Sequence, residues 1–254
     1  MKARILGCGT SSGVPRIGND WGSCDPTDPR NRRRRASILV EHNGTRILVD
    51  TTPDIREQLL DAEVATVDAV IWTHDHADHC HGIDDLRQLF HARGSPVPGY
   101  ARTETIATLR QRFGYIFAGN KGYPSVAIAQ DLPDRLTIGS IALTIVDQPH
   151  GPIQSSGIRF DAGGFSIGYS TDFNQFTSDM QKTFEGVDVW IVDALRLAPH
   201  PTHASLPETL GWIGSVQPSR AILTHMDQSM DYATLCRTLP AGVEPGFDGM
   251  EIAP

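Results

Sequence analysis

Cysteine is scarce in this chain. Only four occur in 254 residues, at Cys8, Cys24, Cys80 and Cys236, with no CxxC pair and no regular spacing. That usage excludes a disulfide framework and points to a reducing compartment. No run approaches the roughly 18 apolar residues needed to cross a membrane. The apolar stretch within Met1–Gly7 is too short for a signal peptide, so a cytoplasmic location with no membrane association is expected. Positive charge is also in deficit: 22 Lys and Arg stand against 30 Asp and Glu, a net charge of −8. A general nucleic-acid coat is thereby excluded, and no stable nucleic-acid partner is expected. With 24 Gly and 17 Pro the chain has too many turn residues for a bundle of long helices.

What remains is a soluble chain long enough to bury one large core. Short Val- and Ile-rich runs predict strands over residues 2–7, 36–41, 45–50, 68–73, 141–146, 156–161, 164–170, 188–193 and 220–224. Asn43-Gly44 and Gly163-Gly164 mark hairpin turns that need positive φ. Apolar spacing predicts helices over 82–93 and 103–117, the latter capped by Thr103. Ser205-Leu206-Pro207-Glu208 is a capping box opening a helix to about Ser215, and Asp231 caps a last helix through Leu239. Runs of strands followed by strand–helix alternation in both halves predict an α/β fold, an αββα four-layer sandwich. No linker or composition break divides residues 1–254, so a single domain is expected.

The chemistry is concentrated after the strand ending at Thr73, in His74-Asp75-His76-Ala77-Asp78-His79. Four candidate metal ligands fall within six residues at a strand end, where side chains can converge on a cleft. Imidazole and carboxylate without thiolate suit Zn²⁺, Mn²⁺ or Fe²⁺. One short loop cannot turn all four donors onto a single ion without strain, whereas two ions would use them if more donors arrive from elsewhere. His150, Asp172 and His225 each follow an apolar strand closely and are the candidates to join them.

This pattern resembles the metallo-β-lactamase superfamily, whose H-x-H-x-D-H loop matches His74, His76, Asp78 and His79, followed in order by His150, Asp172 and His225. The resemblance implies two divalent ions, Zn²⁺ or Mn²⁺. His74, His76 and His150 would hold one, Asp78, His79 and His225 the other, with Asp172 bridging. The segments Gly7–Pro15, Thr73–His79, Ile222–His225 and Gly246–Ile252 are closer still to the cyclic-phosphodiesterase branch, whose best-known member opens phosphoribosyl 1,2-cyclic phosphate. That member carries a further structural zinc on a Cys cluster and a His. Here only Cys24 remains of the cluster and Gln228 stands at the His position, so no structural zinc is expected.

The implied activity is hydrolysis of small or cyclic phosphodiesters by a metal-bound hydroxide, with a small anionic phosphodiester as substrate. His203 matches the proton donor, and Asp78 belongs to both the ligand set and the catalytic set. His200 is a weaker candidate beside it. Asp50 and Asp75 are candidates to accept N–H groups of ligand imidazoles, or else turn residues. His81 reads as a helix-start residue and Cys80 as a small apolar side chain. The run Arg30, Arg32, Arg33, Arg34 and Arg35 is either a solvated loop or a phosphate clamp. Residues 101–125, with Phe113, Tyr115, Phe117 and Tyr123, pack as core or form a lid. Asp248 either faces the site or makes an ordinary Asp-Gly turn. An RNA-processing endonuclease and a thioester hydrolase are the alternative activities. A β-lactamase is disfavoured. A homodimer is compatible with the sequence.

Overall fold

The computed structural model describes residues 1–119 and 122–254; Asn120 and Lys121, inside the segment read as core or lid, lie outside the described residues. The first half runs β1 (Lys2–Gly7), β2 (Ser37–His42), β3 (Thr45–Val49), α1 (Ile55–Asp61), β4 (Ala69–Ile71), α2 (Ala77–Cys80), α3 (Leu86–Arg93), β5 (Val97–Ala101), α4 (Thr103–Ala118) and β6 (Ala127–Asp131). The second runs β7 (Arg135–Ile138), β8 (Ile141–His150), β9 (Ile153–Ala162), β10 (Phe165–Ser170), α5 (Ser178–Phe184), β11 (Val189–Asp193), α6 (Leu206–Val216), β12 (Arg220–Thr224), α7 (Tyr232–Thr238), β13 (Val243–Pro245) and β14 (Glu251–Ile252).

Two seven-stranded sheets result, in the orders β14-β1-β2-β3-β4-β5-β6 and β13-β12-β11-β10-β9-β8-β7. Both are mixed. Hairpins give the antiparallel pairs β2–β3 and β9–β10, and helical crossovers give the parallel runs β3–β4–β5–β6 and β10–β11–β12–β13. Ile5, Ile38, Val49, Ile71, Ile158, Ile167, Ile191 and Leu223 fill the space between the sheets. Alternate residues of the same strands, Leu39, Leu48 and Val70, with Trp72 just past β4, face α1, α3 and α4. Period-two alternation thus gives the first sheet two apolar faces, and the αββα sandwich follows from that.

Several expectations hold in detail. Asn43 (φ 45°) and Gly44 (φ 82°) make the β2–β3 turn, and Gly163 and Gly164 make the β9–β10 turn. The capping box at Ser205 and Glu208 and the Asp231 cap are both formed. Other details differ. The expected helix over 82–93 is a 3₁₀ turn at Ile83–Asp85 followed by α3, and it opens at Gly82, where a side chain would meet the Thr52 carbonyl. Thr103 does not cap α4; its hydroxyl bonds Asp131 instead, and Arg102 holds the cap position. Among the described residues no helix is long and apolar enough to cross a membrane.

Candidate metal centre and active site

The carboxyl ends of β3, β4, β10, β11 and β12 converge at one edge of the sandwich, and each delivers a site residue within about three positions. Asp50 follows β3, His74 follows β4, Asp172 follows β10, Asp193 ends β11 and His225 follows β12. Asp50, Asp172 and His225 have φ of 66°, 57° and 58°, so three strands leave their sheets through left-handed residues that carry side chains. Such conformations cost energy and cluster where function requires them. The short α2 then turns Asp78 and His79 inward, both buried, while His76 at its start stays exposed.

The donors fall into two groups. Nitrogens of His74, His76 and His150 lie within 4.8 Å of one another, as do donor atoms of Asp78, His79, Asp172 and His225. Asp172 stands between them. Its Oδ2 is 3.1 Å from His79 Nε2, and its Oδ1 is 3.5 Å from His225 Nε2, 3.8 Å from His150 Nε2 and 3.9 Å from His74 Nε2. All seven residues named from sequence are therefore brought together.

Outer contacts fix the rings. His79 Nδ1 donates to Asp50 Oδ2 at 2.7 Å, and His150 Nδ1 donates to the Thr202 carbonyl at 2.7 Å. The Thr73 hydroxyl donates to Asp50 Oδ2 and so accepts from His74 Nδ1 at 3.0 Å. Each bond leaves Nε2 of that imidazole facing the centre, as a metal ligand requires. Asp75 differs from expectation. Its carboxylate and its carbonyl both take the Arg112 guanidinium of α4, and it bonds no ligand imidazole among the described residues. The reason is direction: Asp75 points away from the His74 and His76 donors that flank it.

Electrostatics separates the two groups. Burial pushes His74 well below the usual imidazole range and His150 down as well, so both are neutral. Burial acts the same way on His79 and His225, but Asp172 and Asp78 outweigh it, holding His79 well above its ordinary value and His225 at about 9. Asp172 and Asp78 are held well below the carboxylate range against burial by those same imidazoles. A buried ion-paired quartet thus abuts the neutral His74 and His150. His74 Nε2 and His79 Nε2 are buried and make no hydrogen bond. Buried orphan nitrogens aimed at carboxylates fit divalent cations, which would replace the quartet's protons and satisfy both atoms.

His203 lies beside this cluster, half-buried, with Nδ1 at 3.2 Å from Asp193 Oδ2 and 3.7 Å from Asp172 Oδ1. Asp193 escaped the sequence reading. It is fully buried, and its Oδ1 lies 3.8 Å from His225 Nδ1. The signal was present, since Val189–Asp193 is an apolar strand closed by Asp, the pattern that marked Asp50 and Asp172. His200 lies tilted beside His203 at 5.1 Å between ring centroids, and His81 caps α2 at its far end, exposed.

The arginine run is mostly occupied by the protein itself. Arg30 pairs with Asp28, Arg34 with Asp61 and Arg35 with Asp54, while buried Arg33 donates to the Asp227 and Met230 carbonyls. Arg33 also meets Cys24 Sγ at 3.8 Å, and among the described residues no potential metal cluster includes Cys24. Asp248 accepts from the Cys8 and Arg34 amides and so ties the chain start to the β13–β14 turn. Of the aromatics in 101–125, Phe113 and Phe117 pack on the first sheet's outer core, whereas Tyr115 and Tyr123 are exposed. Cys80 is buried as expected, its thiol pushed up to about 12 by burial.

A profile of the beta-lactamase superfamily domain matches residues 45–226, which include every donor. The chain belongs to that superfamily. The resemblance to its cyclic-phosphodiesterase branch is also borne out. A solved diphosphatase of the PhnP family is 34% identical, with 99% of this chain and 97% of that one covered and a TM-score of 0.90. Zn²⁺-bound PqqB from Methylobacterium extorquens superposes at a TM-score of 0.85 with 18% identity, covering 100% of each chain, a likeness of fold. A protein named octanoyltransferase from Porphyromonas gingivalis (strain ATCC BAA-308 / W83) is 29% identical over 99% of this chain. The chain spans about half of that relative, 51% of its length. The protein is a hydrolase of this metal-dependent superfamily, and its His and Asp groups have the composition to hold metal.

Proposed function

We propose that the protein is a binuclear metal-dependent phosphodiesterase acting on small or cyclic phosphodiesters. The observation that carries this reading is the position of Asp172, one carboxylate within 3.9 Å of imidazoles from both donor groups. His74, His76 and His150 would hold one cation, Asp78, His79 and His225 the other, with Asp172 shared. When bound, a pair of Zn²⁺ or Mn²⁺ ions supplies a nucleophile at neutral pH and positive charge for an anionic phosphate.

The remaining work falls to the chain itself. Asp50 fixes His79 directly and His74 through Thr73, so one buried carboxylate orients a ligand on each side. Asp193 holds His203 by Nδ1, which leaves Nε2 as the atom to carry a proton to the departing alkoxide. Asp78 and Asp172 bring two negative charges against four on the cations, and the excess favours an anion over a neutral ester. The similarity to a diphosphatase supports phosphorus as the centre attacked. The acyl-transfer name belongs to a relative twice as long and supplies no equivalent support.

The test is a substrate panel with metal-reconstituted protein: cyclic nucleotides, an aryl phosphodiester, inorganic and organic diphosphates, precursor transfer RNA, thioesters and a lactam. Turnover of the phosphodiesters supports the reading. Rapid processing of the RNA alone, or of the thioesters alone, overturns it.

A further inference from the structure

One imidazole beside the centre, His200, belongs to neither donor group. It sits half-buried on the loop between β11 and α6, just before Thr202 and His203. That loop is fastened on both sides of it. The Arg196 guanidinium donates to the Ala198 carbonyl at 3.2 Å and to the Pro199 carbonyl at 2.7 Å. Asn174 donates to the Pro201 carbonyl at 2.8 Å, and the Thr202 carbonyl takes Nδ1 of His150. The turn bearing His200 is thereby anchored to the His150 side of the centre.

The same turn places the hydrogen of the ring. His200 Nδ1 accepts the Thr202 amide N–H at 3.3 Å, and the Thr202 hydroxyl lies at the same distance. An amide N–H can only donate, so Nδ1 is bare and the neutral ring carries its hydrogen on Nε2. Burial, then His203 and Arg196, hold His200 below the ordinary imidazole value, in keeping with a neutral ring. Nε2 makes no hydrogen bond among the described residues and is open to solvent.

His203 is arranged the opposite way. Its Nδ1 donates to Asp193, which leaves Nε2 free to lose and regain a proton. Its ring centroid lies 4.7 Å from that of His150 and 4.8 Å from that of His225. His200 follows 5.1 Å beyond His203 and meets no ring of the donor groups among the described residues. Two imidazoles of opposite tautomer therefore lead outward from the donors, first the proton carrier and then a fixed N–H.

We propose that His200 contacts the leaving group: its Nε2–H donates a hydrogen bond to an acceptor atom next to the oxygen that His203 protonates. This rests on the phosphodiesterase reading and narrows it to esters whose leaving group carries such an acceptor, as the oxygen-rich ring of a sugar does. His200 is not a second acid, because a proton on Nδ1 would break its bond to the Thr202 amide.

The experiment compares methyl 2-nitrophenyl phosphate with methyl 4-nitrophenyl phosphate on metal-loaded protein. The two phenols are similarly acidic, but only the first holds a nitro oxygen beside the departing oxygen. His200→Ala is expected to lower kcat/KM on the first by about threefold to tenfold more than on the second, mainly through KM. His200→Gln keeps an N–H donor near the Nε2 position and should recover most of that difference. Long-range ¹H–¹⁵N correlation on the Zn²⁺-loaded wild type should show His200 as the Nε2–H tautomer. Equal losses on the two esters, no recovery in His200→Gln, or an Nδ1–H tautomer overturns the assignment while leaving phosphodiester hydrolysis intact. If the wild type turns over neither ester nor a cyclic nucleotide, the phosphodiesterase reading itself has failed.

Discussion

Asp50 Oδ2 lies 2.7 Å from His79 Nδ1 in a position closed to solvent. The same oxygen takes the Thr73 hydroxyl, whose own lone pair receives His74. One carboxylate outside the donor set thereby fixes an imidazole in each of the two groups. Geometry at the centre is a property of this outer contact as much as of the ligands.

Asp50→Asn replaces an anionic acceptor with an amide that must also place two donors in the same buried space. Zn²⁺ affinity is expected to fall by about 10–100-fold. Competition with a chromogenic chelator measures it, and far-UV circular dichroism checks that the variant folds. Affinity equal to wild type would show that Asp50 does not orient the ligands.

His203→Ala is expected to slow diesters with poor leaving groups by about 10²–10⁴-fold while affecting activated aryl esters far less. The dependence of kcat on leaving-group pKa reads this directly. Equal losses on both substrate types would remove His203 from proton donation.

Metal binding should release protons. His225 in the metal-free protein titrates at about 9, raised above the ordinary imidazole value, so near pH 7 it carries a proton that a cation must displace. The His225 contribution to apparent affinity therefore rises with pH and levels off above about 9. In the metal-free protein the sign for folding is opposite: the stabilisation from this raised value is full below the unfolded imidazole value and is lost as pH rises through about 9. Calorimetric titration with Zn²⁺ in buffers of different ionisation enthalpy, and melting of the metal-free protein across the same range, test both directions.

Arg33 is buried, pairs with no carboxylate among the described residues, and is bonded to two carbonyls of the 227–230 loop while touching Cys24. It cross-links this loop to the segment before β2. Arg33→Ala is expected to lower unfolding free energy by about 3 kcal/mol, from hydrogen bonds to a charged group and the cavity left behind. Urea denaturation checks this. A change within about 0.5 kcal/mol would mean the guanidinium holds nothing together.

How much of this was readable beforehand depended on the range of the interaction. The ligand loop is a local pattern, and His150, Asp172 and His225 carry the mark of a polar residue closing an apolar strand. Asp193 carries that mark too, but Asp commonly ends strands, and the mark alone does not separate it from a turn residue. The Arg112–Asp75 contact joins α4 to the ligand loop and has no local signature. In the strand β5, Val97-Pro98-Gly99-Tyr100-Ala101, Pro and Gly break the strand pattern, yet Gly99 is required inside the sheet, where the Trp72 ring occupies the space of a side chain. The helices α1 and α5 are short, and packing against the sheets rather than periodicity defines them.

Metal stoichiometry is the most direct test of the central claim. Purified protein reconstituted with Mn²⁺ or Zn²⁺ and analysed by inductively coupled plasma mass spectrometry should carry two ions per chain, with Asp172→Ala below two and phosphodiesterase activity tracking the second ion. One ion or none in the wild type, or two retained in Asp172→Ala, would contradict a shared carboxylate between two cations.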